Sequence, residues 1–410
     1  MPIGLSGTPT AAPRTASFEQ RLAIGLFALL AMVPPLSPVL GGGYALVLGE
    51  RVMIFAIAAL SLELLVGAAG LLSFGHAAFL GIGAYAAGIA ASHGLGTLSI
   101  ALPAALASSA LFALATGAIA VRTRGVYFIM ITLAFAQMAF FVATSLAPYG
   151  GDDGLSWPTR TLVLGTRILK NELVFFYLVG ILLIASYLSI SRLIASRFGR
   201  VLRGLKDNET RMQAMGFTPY AYRLTAYVIA GAFCGLAGFL LGNQAEFVSP
   251  AYMHWQRSGE LIMMVLLGGT GRLWGAMFGA LAYLLLEETL SRLTEHWKVV
   301  FGPTLVLMVL FARGGIAGAF DALRQGLPAR RGAGDGRRSE LGAASKACGA
   351  ASPTRQRLLA CLMLRSQCVA GLARACGQAM TSALGRRRHW LAHLAARNGK
   401  SRLLRWWWRC

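Results

Sequence analysis

Read as a string of apolar and polar positions, the chain alternates apolar runs with short polar breaks over most of its length. The runs fall at about residues 22–40, 52–68, 76–92, 98–120, 126–147, 173–195, 223–242, 259–270, 274–290 and 298–312. A perpendicular helix needs roughly 20 residues to cross the hydrocarbon core of a bilayer. The shorter runs therefore read as re-entrant or broken helices, which membranes tolerate where freed backbone groups stay inside the protein. The pattern predicts an all-α fold, a polytopic transmembrane bundle of eight to ten spans over residues 22–318, with a polar segment 1–21 before it and a compositionally distinct tail 319–410 after it. No small-residue cleavage site follows the first run, so it reads as a retained span and not as a signal peptide.

The longest strongly basic break runs from Arg192 to Arg223 and holds seven Lys or Arg. Basic residues concentrate in cytoplasmic loops. Walking outward from that loop places residues 148–172 outside, Arg122 and Arg124 inside, and both termini in the cytoplasm. Within 196–222, Asp207, Asn208 and Glu209 form a helix-start cluster, and Gly216 followed by Pro219 marks the end of that helix. Acidic groups are favoured at the positive end of a helix, and a glycine closing it is expected at positive φ. A compact polar helix here suits docking of a soluble partner, whereas a plain connector would only anchor two spans at the headgroups.

Composition supports the membrane class: 56% of residues are hydrophobic and 13% charged, far from soluble averages. The net charge of +22 would suggest nucleic acid, but residues 328–410 alone hold 17 basic and 2 acidic residues. Nucleic acid is not the expected partner of the apolar body; basic groups and Trp in the tail suit an anionic membrane surface over 357–384, or a poorly ordered extension. Five of the six cysteines, Cys348, Cys361, Cys368, Cys376 and Cys410, lie in that tail without a CxxC pair, so zinc is not expected and reduced thiols are. GGDDG at 150–154 lacks calcium-loop spacing and reads as an external turn. NGKS at 398–401 lacks the first glycine of a phosphate loop, since position 394 is Leu. No ATP site, cofactor or metal is therefore expected in this chain.

Two glycine-interrupted stretches stand out. SLELLVGAAGLLSFGHAAFLGIGAYAAG (61–88) carries Gly67, Gly70, Ser73 and His76, and MMVLLGGTGRLWGAMFGALAY (263–283) carries Gly268 and Gly271. Each glycine alone reads as close helix packing. Paired interrupted segments, one per half, are also the mark of an internal repeat with a transport path between its halves. Glu63 is an ionisable group inside a predicted span, which stands equally as a path residue and as a structural group. Gln137 joins the candidates as a polar group in a span, where interhelical bonding is the commoner role. The candidate path is thus Glu63, Gly67, Gly70, Ser73, His76, Gln137, Gly268 and Gly271.

KDNETRMQAMGFTPYAYRLTAYVIAGAFCGLAG (206–238), LLSFGHAAFLGIGAY (71–85), RTRGVYFIMITLAFAQM (122–138), YGGDDGL (149–155) and LLGGTGRLWG (266–275) resemble, in order, the permease subunits of branched-chain amino-acid ABC importers. The ordered set covers most of residues 52–318. It departs from the family's usual pattern at Gln213, Glu63 and Leu71, where Glu, Asn and Gln are common. The resemblance implies a multi-pass protein of the bacterial inner membrane working by alternating access, without covalent chemistry of its own. It implies a second permease of similar fold, cytoplasmic ATPase subunits that bind ATP and Mg, and an external substrate-binding protein. Coupling to the ATPase would fall on Asp207, Asn208, Glu209, Met215 and Gly216. Import of urea or short amides stays open as the substrate class, and an ion-coupled secondary transporter using Glu63 stays open as the mechanism.

Overall fold

The computed structural model describes residues 16–36, 43–94, 96–157, 160–162, 166, 168–293, 296, 299–303, 315–316 and 318. The tail 319–410 with its cysteines, residues 1–15 and most of the run 298–312 lie outside the described residues.

Among the described residues the α-helices are α1 (Ala16–Ala31), α2 (Val33–Leu36), α3 (Gly43–Glu63), α4 (His76–Ser92), α5 (Leu98–Ala120), α6 (Val126–Ser145), α7 (Glu172–Ala195), α8 (Arg197–Asp207), α9 (Glu209–Ala214), α10 (Pro219–Ala245), α11 (Trp255–Gly268) and α12 (Leu273–Leu293). Six are long and apolar enough to cross a membrane, and two shorter apolar helices cover Leu22–Pro35 and His76–Ser92. The protein is a multi-pass helical membrane bundle.

Helix α3 is apolar on every side and buried almost continuously from Val52 to Leu65, as a helix at the centre of a bundle has to be. Helices α5, α6 and α7 bury a stripe each and turn Leu111, Ile119, Tyr127, Phe141 and Ile181 outward. Those faces suit a rim against lipid. Helix α10 runs tightly along α4: a Cβ on Gly83 would run into the Gly235 carbonyl, and one on Gly238 into the Leu80 carbonyl. Between helices in lipid, such backbone contact supplies dispersion attraction where the hydrophobic effect supplies little.

Two interruptions shape the interior. Past Glu63, α3 unwinds into a π-helical turn, Leu64–Ala69, closed by Gly70 at φ 68°. Residues 70–75 leave the helical state and turn back, so that α4 starts with His76 beside Ser61 of α3. In the other half, Glu246 ends α10 at φ 52°. There β1 (Leu155–Ser156) pairs antiparallel with β2 (Phe247–Val248), Leu155 opposite Val248. A 3-10 turn at Pro250–Met253 then leads into α11.

The Ala77 N–H donates to Ser258 Oγ at 3.0 Å, so α4 and α11 begin at one depth inside the bundle. Helix α3 runs toward the basic loop and α10 runs away from it, which makes the two helix–coil–short-helix units opposite in direction. That is the arrangement of an inverted repeat. Helix α11 has 14 residues and spans only about 21 Å; it is a half-helix, in keeping with the short run at 259–270.

The basic loop holds two helices where the sequence predicts one. Asn208, at φ −155° and ψ 100°, separates α8 from α9 and caps α9 by accepting from the Arg211 N–H at 3.0 Å. An Asn side chain competes with the helix for backbone N–H groups, which breaks one helix and starts the next. At the far end Gly216 takes φ 87°. Its N–H donates to Gln213 O at 2.9 Å and the Phe217 N–H to Met212 O at 3.2 Å, the bonding of a Schellman cap.

Candidate coupling surface and translocation path

The basic end is built from α8, α9 and the α5–α6 turn. Glu209 opens α9 and meets two arginines: Arg124 of the α5–α6 turn at 2.6 Å and Arg223 of α10 at 3.0 Å. Glu209 and Arg223 are largely shielded, whereas the Arg124 side chain is 67% exposed. Tyr220 at the start of α10 donates to Ala118 O at 3.0 Å, with the Arg122 guanidinium 5.7 Å from its ring centre. Lys206 at the end of α8 donates to the Gly67 carbonyl at 2.9 Å. The loop is therefore keyed to α5, α6, α10 and the π-helical turn of α3.

Against that frame the coupling candidates divide by task. Asn208 and Gly216 set the backbone that aims α9, and Glu209 fastens α9 to the bundle. Asp207 and Met215 face outward, Met215 with 58% of its surface exposed. An exposed, unbranched methionine on a polar knob is an adaptable apolar contact for a partner surface.

The eight path candidates fall in three places. Glu63, Gly67, Gly70, Gly268 and Gly271 gather at the basic end, where Glu63 Oε1 accepts from the Gly271 N–H and Gly67 lies against Gly271. These residues border the α8 side, and Glu63, Gly67 and Gly271 line a cavity of about 790 Å³ together with Arg192, Arg203 and Arg272. Ser73 and His76 lie deeper and are fully buried. Ser61 Oγ donates to Ala58 O at 2.7 Å, so the His76 Nε2–H is the donor in the 2.8 Å bond to Ser61. Ser73 Oγ accepts from the Gly75 N–H at 3.2 Å, which shapes the coil before α4. Gln137 stands apart on α6, its Nε2 buried with no hydrogen-bond partner among the described residues.

A second cavity, of about 320 Å³, contains none of those eight. It lies toward the opposite end, between α3, α10, the 3-10 turn and the first turns of α4 and α11. Val47 and Ala245 form its exposed rim and Ala77 its buried floor. Its walls are mainly aliphatic and aromatic, and its polar groups are Arg51, Gln244, Tyr252 and Arg257. Gln244 ties α10 to α3, donating to Val47 O at 2.9 Å and to Glu50 Oε2 at 3.3 Å. Arg257 is paired with Glu260 at 2.7 Å. The hydropathy pattern passes over Arg51 and Arg257 because each sits just before an apolar run. Helices α3 and α11 begin earlier than those runs, at Gly43 and Trp255, and so carry both arginines into the bundle.

A family model described as the permease component of the branched-chain amino acid transport system matches residues 45–311. The chain is 29% identical over 288 residues to the high-affinity branched-chain amino acid transport system permease protein LivM of Salmonella typhimurium, across 64% of this chain and 68% of that protein. It is 28% identical to the LivM protein of Escherichia coli K12 over 288 residues, with the same shares. It is also 30% identical over 125 residues to the E. coli K12 permease protein LivH, across 30% of this chain and 40% of that protein. No solved structure matches the chain.

Proposed function

The chain belongs to the permease-component family of branched-chain amino acid transport systems, and from that premise we propose that it forms part of the path by which an ATP-driven importer carries leucine, isoleucine and valine. A second permease of similar fold completes the path, as the likeness to both LivM and LivH proteins suggests. ATP and Mg belong to cytoplasmic ATPase subunits, and an external binding protein delivers substrate. This chain has no ATP site of its own and does no covalent chemistry. The membrane is the bacterial inner membrane, with the basic end and both termini in the cytoplasm, as the arginines of α8, α9 and the α5–α6 turn favour.

The observation that carries this reading is the keyed α8–α9 module. A tether between spans needs no rigid shape, whereas this loop is capped at Asn208 and Gly216, pinned through Glu209, and joined by Lys206 to the π-helical turn of the central helix. Movement of α9 by a partner is thereby passed to α3. An ion-coupled carrier has no use for such a module.

Gly216→Val tests it. A Cβ at Gly216 meets nothing within 4 Å, so the change adds only the cost of a side chain at positive φ, about 1–2 kcal/mol. We expect normal membrane insertion with reduced copurification of the ATPase and reduced leucine uptake. Unchanged uptake and copurification, alone and combined with Glu209→Ala, would reduce the loop to a tether.

A further inference from the structure

The cavity between α3, α4, α10 and α11 has the composition of an amino-acid site. Its volume of about 320 Å³ is at the small end of ligand pockets, roughly 300–1,000 Å³, which suits one amino acid and little more. Phe55, Leu80 and Leu241 give it apolar walls, and Arg51 and Arg257 bring cations to the same space.

The two arginines differ in a way that matters. Arg257 holds Glu260, which is not part of the lining, at 2.7 Å, so its charge is already taken up by a carboxylate. Arg51 is half-buried, stands 5.9 Å from the Phe55 ring centre and closes no ion pair within 4 Å among the described residues; Glu287 and Glu288 of α12 act on its charge only from beyond that distance. A guanidinium carried into a membrane helix and not closed into a contact ion pair is costly and is a functional-site mark. Its planar fork matches a carboxylate better than any other side chain does.

We propose that this cavity is a station for the translocated amino acid, with the substrate carboxylate on Arg51 and its aliphatic side chain against Phe55, Leu80 and Leu241. The site rests on the functional reading above and says where that substrate pauses. The exposed rim at Val47 and Ala245 is the entrance. The floor is the junction where Ala77 of α4 bonds Ser258 of α11, so onward passage requires those two half-helices to separate. An apolar slot with one available cation holds leucine, isoleucine or valine better than urea, which has neither carboxylate nor aliphatic side chain.

The test uses the complete importer in nanodiscs, with Ala245→Cys at the rim as a reporter for a small maleimide. Leucine is expected to slow labelling, leucinol, which lacks the carboxylate, to leave it unchanged, and Arg51→Gln to abolish the leucine effect. In vesicles Arg51→Gln is expected to lower the maximal leucine uptake rate about tenfold, the loss of one charge-assisted contact, with partial recovery in Arg51→Lys. ATPase copurification should be unchanged in both variants, which separates a path defect from a folding or assembly defect. If the importer carries leucine yet leucine never protects the reporter, or leucinol protects equally, the site is wrong while the importer reading stands. An acyl chain in the cavity would give the first of these results. If the complex imports no branched-chain amino acid at all, the functional reading fails and this site fails with it.

Discussion

Glu209 shows how much one residue adds beyond its local role. From the sequence it is a helix-start acid, worth about 0.3–1 kcal/mol at an exposed site. In the fold it closes two ion pairs, and the one with Arg223 is shielded on both sides, at 14% and 12% side-chain exposure. Removing it strands a mostly desolvated cation, a loss of about 1.5–3 kcal/mol for a hydrogen bond to a charged group. Arg124 is largely in solvent, where a pair contributes about 0–1 kcal/mol. Thermal unfolding of the solubilised protein should therefore show a clear loss for Glu209→Gln and little for Arg124→Gln. Equal losses would mean that Arg223 is not the partner that matters. Glu63 makes the same point about legibility. Its burial in a span is visible in the sequence, but its partner is a backbone N–H 208 residues away, and nothing local encodes that.

At the scale of elements, the glycines sort by what a side chain would meet. Gly238 of α10 abuts the Leu80 carbonyl of α4, whereas Gly259 of α11 has nothing within 4 Å. Gly238→Ala has to push two buried helices apart and should sharply lower the yield of folded protein on size-exclusion chromatography. Gly259→Ala should leave yield unchanged or raise thermal stability by about 0.4–1 kcal/mol, as a helix-interior Gly→Ala change does where there is room. A folded Gly238→Ala protein of normal stability would contradict the close α4–α10 contact. The spans themselves were readable because apolar runs of this length have few other fates. The first interruption was readable too, since Gly67, Gly70 and Gly75 weaken helix from Leu64 onward. The second was not: the coil after α10, EFVSPAYMH, has no glycine and resembles an ordinary loop. The two glycine-interrupted stretches thus meet at the basic end, where Gly67 lies against Gly271. The opposed units are α3–α4 and α10–α11.

For the whole molecule, the matched family region ends at residue 311, and the basic tail begins soon after. A chain truncated after Leu327 keeps every described element and should retain most leucine uptake, measured at equal membrane abundance. Loss of uptake at normal abundance would give the tail a part in transport.

Orientation is the remaining property of the molecule as a whole; the contacts show which elements share an end, and we propose from their charge which end is cytoplasmic. Arg124 bonds Glu209 and Lys206 bonds Gly67, so the α5–α6 turn, α8, α9 and the inner end of α3 share one face. The β1–β2 pair joins the segment around residues 155–156 to residues 247–248, which fixes a second, opposite face. Basic residues crowd the first, and short loops rich in Lys and Arg stay on the cytoplasmic side during insertion. In a background with the tail cysteines changed to Ser, Cys234 is buried and silent. Asp152→Cys, exposed beside β1, should react with a membrane-impermeant maleimide on intact cells. Asp207→Cys, equally exposed on α8, should react only after the membrane is opened. Labelling of Asp207→Cys from outside would invert the molecule, place the knob formed by α9 where no ATPase can reach it, and overturn the coupling role.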